Sequence, residues 1–327
     1  MNITTLGSTG LKVGRIGLGC TTFGREIDEA TSFAVMDHAL AHGITLFDTA
    51  EAYGGGEAKE YRKNYLGVVD NREVTDEANS SEKIVGRWLA SRKCRDQITL
   101  CTKVTTNHNR EHVSQALDAS LERLQTDFAD IYMYHSFDSA TPVDERVSAM
   151  DQAVRSGKAR HAACSNYDAE QLREALQTAA RLGMRTFEVI EPNYNLLVRD
   201  IESATLPICR GNGIGVMSYS PLGAGFLTGK YTPDRNALPE RTRFHVIPGH
   251  ADIYFSEKNF AIVDKLHDFA ERVGVPALRL AIGWVLKNPA VDTVLVGARS
   301  TAHLDNAIAA EAMDLPADWH AEMSAWE

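Results

Sequence analysis

Eight short, almost wholly apolar runs recur along the 327-residue chain, and long stretches of helical period separate most of them. This alternation limits the fold more than any other feature. The runs cover residues 16–19, 44–48, 98–103, 130–135, 159–164, 187–191, 213–219 and 293–297. A strand with one face in water alternates apolar and polar residues. These runs do not, so both faces should be covered, as in a parallel sheet wrapped by helices. Among the intervening stretches, Val113, Ala116, Leu117, Ser120, Leu121 and Leu124 share one helical face, and Ile84, Val85, Trp88 and Leu89 share another. Eight strand–helix units predict an α/β fold, a closed (β/α)8 TIM barrel, as a single domain over residues 1–327. A doubly wound open sheet is the competing topology.

Residues 2–12 precede the first barrel strand, with Gly7-Ser8-Thr9-Gly10 at their centre. They read as an N-terminal β-hairpin capping the barrel bottom. Residues 57–80 and 232–256 break the rhythm. Each follows a strand, so each is expected as a long βα loop on the C-terminal face, either a lid or a solvated loop.

Composition removes several function classes. With 44% apolar and 24% charged residues the chain has an ordinary globular balance. No run approaches the ~20 apolar residues of a membrane helix. Met1-Asn2-Ile3-Thr4-Thr5 lacks the basic start and apolar core of a secretory signal. Cys20, Cys94, Cys101, Cys164 and Cys209 are odd in number, widely spaced and form no C-x-x-C, which fits free thiols in a reducing compartment. A cytoplasmic protein is expected. The net charge of −10 argues against nucleic acid as a partner. An anionic cofactor needs only a local convergence of cations and backbone N–H groups.

Reactive residue types gather at strand ends. The second run leads into Phe47-Asp48-Thr49-Ala50-Glu51-Ala52-Tyr53-Gly54, the third ends on Thr102-Lys103, and the fourth on Tyr134-His135. A closed barrel would bring Asp48, Tyr53, Lys103 and His135 to one mouth. A phenol ionises near ~10 in water and shuttles protons poorly at neutral pH. An adjacent ammonium lowers that value, a carboxylate compensates the buried ammonium, and a histidine orients a carbonyl oxygen. Taken singly, each residue reads as well as a cap, an ion pair or a packed aromatic; together they read as a proton donor set.

These segments resemble the aldo-keto reductases. The stretch from Phe47 to Gly54 is similar to that family's signature around its catalytic aspartate and tyrosine; Lys103 and His135 resemble its lysine and histidine. Ser165-Asn166 resembles the pair that holds the nicotinamide carboxamide, with Glu191 beside it. Tyr219-Ser220-Pro221-Leu222-Gly223-Ala224-Gly225 resembles the segment that stacks on the nicotinamide and wraps the pyrophosphate. Gly297-Ala298-Arg299-Ser300, with His303 and Asn306, resembles the adenosine-phosphate end. Thr22 and Lys230 join the expected cofactor contacts. The resemblance implies NADPH, with NADH as the alternative, hydride transfer to or from a small-molecule carbonyl or alcohol substrate, and proton transfer by Tyr53. A homo-oligomer is left open.

Three departures bear on this. Glu191 stands where the family usually has glutamine. As a carboxylate it accepts but cannot donate hydrogen bonds, and its charge would favour the oxidised, positive nicotinamide. His303 and Asn306-Ala307 also depart from the usual adenosine-end pattern, which loosens the preference for NADPH. Ala163 replaces a glycine, a packing change. Other motifs fail on inspection. Gly17-Leu18-Gly19 lacks the third glycine and the helix of a dinucleotide fingerprint, and Gly229-Lys230 lacks the first glycine and the Ser/Thr of a P-loop. His108-Asn109-Arg110-Glu111-His112 matches an H-x-x-E-H pattern without a third ligand, so no metal is expected. The competing function is a cofactor-binding regulatory subunit resembling channel β subunits. A metal-dependent hydrolase lacks a ligand set at the strand ends.

Overall fold

The computed structural model describes residues 1–55, 63, 74–240 and 242–326. The expectation of a lid over residues 57–80 therefore falls mainly outside the described residues. Ten strands are present among those described: β1 Ile3–Thr5, β2 Lys12–Gly14, β3 Ile16–Gly19, β4 Leu46–Asp48, β5 Thr99–Val104, β6 Ala129–Tyr134, β7 Ala159–Ser165, β8 Val189–Glu191, β9 Gly215–Ser218 and β10 Thr293–Gly297. Strands β3 to β10 form a closed barrel in chain order, β10 pairing back onto β3, every pair parallel. The open-sheet alternative is thereby excluded. The predicted runs match these strands, but β4, β8 and β9 each start two residues later than expected, at Leu46, Val189 and Gly215. Apolar character carries on beyond the ladder at these entries, where Ile44, Phe187 and Ile214 are buried outside the strands.

Side chains on a strand point alternately to its two faces, and here the two faces build two cores. Leu46, Cys101, Met133, Ala163, Val189, Met217 and Leu295 fill the barrel interior. Their neighbours Phe47, Leu100, Tyr132, Tyr134, Cys164, Ile190, Val216 and Val296 point outward into the shell beneath the helices. The predicted helical stripes cover that shell. Val113, Ala116, Leu117, Ser120, Leu121 and Leu124 are the buried residues of helix Arg110–Leu124. Ile84, Val85, Trp88 and Leu89 are buried in helix Ser80–Arg92. Local signals set the ends: helix Ala169–Leu182 begins at an Asp168/Gln171 capping box and stops at Gly183 in the left-handed conformation.

The N-terminal hairpin closes the bottom. Antiparallel β1 and β2 place Leu6 and Val13, both fully buried, in the interior core. Leu6 sits so close to the Gly215 backbone that a Cβ there would lie 2.8 Å from its side chain. Asp292 clasps the arrangement, accepting from Gly7 N at 3.1 Å and Val216 N at 2.9 Å. The segment 232–256 is a solvated loop only in its first part, where residues 232–237 are exposed. Its Phe244, Tyr254 and Phe255 stack around Phe226 with Tyr231 and Phe260, and Arg243–Val246 and Ala251–Tyr254 are short helical turns. No helix among the described residues is long and apolar enough to cross a membrane.

Candidate active site

Two residues beyond each interior core position lies the next inward side chain. From Leu46, Cys101, Met133, Ala163, Val189 and Met217 that step gives Asp48, Lys103, His135, Ser165, Glu191 and Tyr219. Strand parity thus gathers at one rim the polar residues that the sequence scatters over 170 positions (about the span from 48 to 219). On β3 and β10 the same step gives Gly19 and Gly297, leaving that side of the mouth without side chains.

Lys103 is the centre of the arrangement. Its side chain is fully buried, and Nζ donates to Asp48 Oδ1 and, at 3.1 Å, to the carbonyl oxygen of Thr49. Glu191 Oε2 stands 3.4 Å from the same nitrogen. Burial alone would pull the ammonium's pKa down. The charges of Asp48 and Glu191 outweigh it, and the pKa lies above the ordinary lysine value. The Lys103 nitrogen is 5.2 Å from the centre of the Tyr53 ring. Tyr53 meets the His135 ring edge to face, with centres 5.4 Å apart. His135 Nδ1 is 3.3 Å from Thr105 Oγ1. Burial, with Lys103 nearby, lowers the His135 pKa to about 3, so the ring is neutral.

One expectation is reversed here. The neighbouring ammonium does lower the phenol of Tyr53, but burial comes first, and Asp48 and Glu191 add to it. The net shift is upward. Glu191 departs in a related way. Burial and the charge of Asp48 raise its carboxyl to about 8 against the pull of Lys103, so it is not a permanent anion at neutral pH.

The residues expected to meet a cofactor divide into two groups. Ser165, Asn166, Glu191 and Tyr219 form one chain: Ser165 Oγ donates to Glu191 O at 2.7 Å, Asn166 Nδ2 to His135 O at 2.9 Å, and Tyr219 Oη to Asn166 Oδ1 at 2.7 Å. Across the open side, Thr22 Oγ1 donates to Ala298 O at 2.7 Å, joining the ends of β3 and β10. Arg299 lies 3.7 Å from Glu26, and its backbone N–H donates to His303 Nδ1 at 3.2 Å. Lys230 is lowered by partial burial and then by the charge of Arg299. Two cations held near each other beside one carboxylate make a place for an anion. Between the groups, Ser220, Gly223, Ala224 and Gly225 all have positive φ. At Gly225 (φ +89) a Cβ would come 2.9 Å from Lys230 Nζ. The winding backbone closes on itself, Gly223 N donating to Ser220 O at 2.9 Å and Gly225 N to Leu222 O at 3.0 Å. Pro221 is buried, Leu222 half-buried and Ser300 exposed along the same rim. Asn306, on the following helix, donates from its amide to Ala302 O at 3.0 Å and accepts from Arg279 at 3.2 Å.

Sequence reading overlooked Thr49, whose carbonyl oxygen holds Lys103, Thr105 and Glu26. Thr105 was findable, since it lies two residues past Lys103 on the same inward face. Asp48, Cys101 and Glu191 bring donor atoms within 4.8 Å of one another, the one such trio among the described residues. The Lys103 ammonium lies within ion-pair distance of both carboxylates and is hydrogen-bonded to Asp48. In the H-x-x-E-H segment, His108 is buried and stacked on Tyr134 at 3.8 Å.

The model of the Aldo/keto reductase family matches residues 15–327. The chain is 32% identical to the uncharacterized oxidoreductase YrpG of Bacillus subtilis, covering 96% of this chain and 92% of that protein. It is also 32% identical to the aldo-keto reductase YhdN of the same organism, over 93% and 87% of the two chains. With a probable voltage-gated potassium channel subunit beta of Arabidopsis thaliana it shares 31% identity over 91% and 87%. Barrel, rim and these matches together mean that the chain belongs to the aldo/keto reductase family.

Proposed function

We infer that this oxidoreductase interconverts an aldehyde, ketone or sugar carbonyl with its alcohol, using NADP(H) or, as the alternative, NAD(H). The observation that carries the reading is the buried Lys103 ammonium, neutralised by Asp48 beneath Tyr53, with a neutral His135 against the same phenol. The raised phenol keeps its proton at neutral pH, which is the form a carbonyl oxygen needs from a donor. Lys103 then stabilises the phenolate left behind, and Asp48 keeps Lys103 charged. His135, with Nδ1 toward Thr105, has Nε2 to meet the carbonyl oxygen. Ser165, Asn166, Tyr219 and the backbone from Ser220 to Gly225 fit a nicotinamide and its pyrophosphate, and Lys230 and Arg299 fit further phosphate. When bound, the reduced nicotinamide supplies the hydride. Five buried free cysteines agree with a reducing, cytoplasmic setting. The barrel and its hairpin plug act as one domain.

The test is loss of reduced-nicotinamide absorbance with a panel of aldehydes, ketones and sugars. Turnover is expected with at least one carbonyl class, and Tyr53→Phe is expected to lower kcat/KM by roughly 10²–10⁴-fold. The likeness to a protein named as a probable channel β subunit favours a second reading, a cofactor-binding regulatory subunit. Tight cofactor binding with no turnover on any carbonyl would support that one instead.

A further inference from the structure

Lys103 has one ammonium and two acidic neighbours. Asp48 reaches it from the end of β4 and Glu191 from the end of β8, with side chains only 4% and 5% exposed. The Glu191 Oε2 atom is buried and makes no hydrogen bond, although it lies 3.4 Å from the nitrogen. A buried carboxylate is ordinarily held by several donors. One cation cannot compensate two buried anions, so one of the two carboxyls keeps its proton more tightly than a carboxyl in water does. The groups facing Glu191 are Asp48 from β4, Tyr53 from the following loop, Cys101 and Lys103 from β5, and Tyr219 beyond β9. Only Lys103 among them is a cation. Ser165 of β7 bonds the Glu191 main-chain oxygen and carries no charge.

We propose that Glu191 is a positioning residue whose proton sets the net charge of the mouth. When neutral, it leaves the effect of Lys103 to the Tyr53 phenol; when ionised, it competes for the ammonium and adds a negative charge that favours the oxidised nicotinamide over the reduced one. This rests on the reductase reading above. The direction with pH follows from the geometry. A carboxyl raised to about 8 is protonated in neutral solution and ionises as the pH rises through that value. The mouth then passes from neutral to negative. A family-typical glutamine at this position would hold no such proton.

The experiment measures the affinities of oxidised and reduced cofactor across pH by fluorescence titration of the full chain, wild type and Glu191→Gln. The ratio of the two cancels the titration of the cofactor's own phosphates. In wild type the ratio should move roughly tenfold toward the oxidised form as pH rises through the Glu191 ionisation. In Glu191→Gln it should stay flat. Infrared difference spectra of the cofactor-free proteins give a second readout. At neutral pH the wild type should show a protonated-carboxyl band that the Gln variant lacks. A ratio with the same pH dependence in both proteins, or a wild type without that band, would overturn the proposal. The two readings fail separately. Turnover with a pH-independent ratio removes this inference alone, whereas a pH-dependent ratio without turnover removes the reductase reading alone.

Discussion

An ammonium in the driest part of a barrel mouth is tolerable only with a compensating charge, and for Lys103 that charge is Asp48. The pair is a buried one, where removing one partner costs far more than the pair itself contributes. Asp48→Asn should therefore destabilise the fold by roughly 3–5 kcal/mol in urea unfolding at neutral pH. A loss within about 1 kcal/mol would mean that Glu191 already serves as the counter-ion. The residue types of this cluster were legible in sequence. The balance of their charges was not, because the proton on Glu191 and the upward shift of Tyr53 depend on burial and on a 3.4 Å approach across the barrel. Asn306 shows the same limit. That its amide oxygen accepts from Arg279, on a different helix, could not be read from the motif.

Strands and helices were easier to read. Continuous apolar runs mark strands buried on both faces, and the stripes from Val113 to Leu124 and from Ile84 to Leu89 fall on the shell as helical periodicity requires. What periodicity could not supply was the course of residues 232–256. Its helical turns are four residues long, too short for a period, and the aromatic packing that fixes them is completed by Phe226 and Phe260, which flank the segment. The hairpin shows how an element acts far from the chemistry. Leu6 plugs the end of the interior core opposite to the mouth. Leu6→Ala should cost about 2–5 kcal/mol of stability by opening a cavity there. Carbonyl reduction at 25 °C should change less than about twofold, since the plug lies at the end of the interior core away from the rim. A large fall in kcat with little loss of stability would show the bottom of the barrel coupled to the rim.

For the whole molecule, barrel closure is what turns a scattered list of polar residues into a site. Each strand contributes one inward residue at the rim, the glycines of β3 and β10 leave one side open, and Lys230 and Arg299 stand beyond that opening in a chain of net charge −10. Under the proposed function, hydride enters through this opening while Tyr53 supplies the proton. The most direct measurement follows deuterium from C4 of a deuterated reduced cofactor into the product alcohol. Label is expected on the former carbonyl carbon with wild type, and its near loss in Tyr53→Phe while cofactor affinity stays within about threefold of wild type. Unlabelled product, or label transferred as fast by Tyr53→Phe, would contradict it.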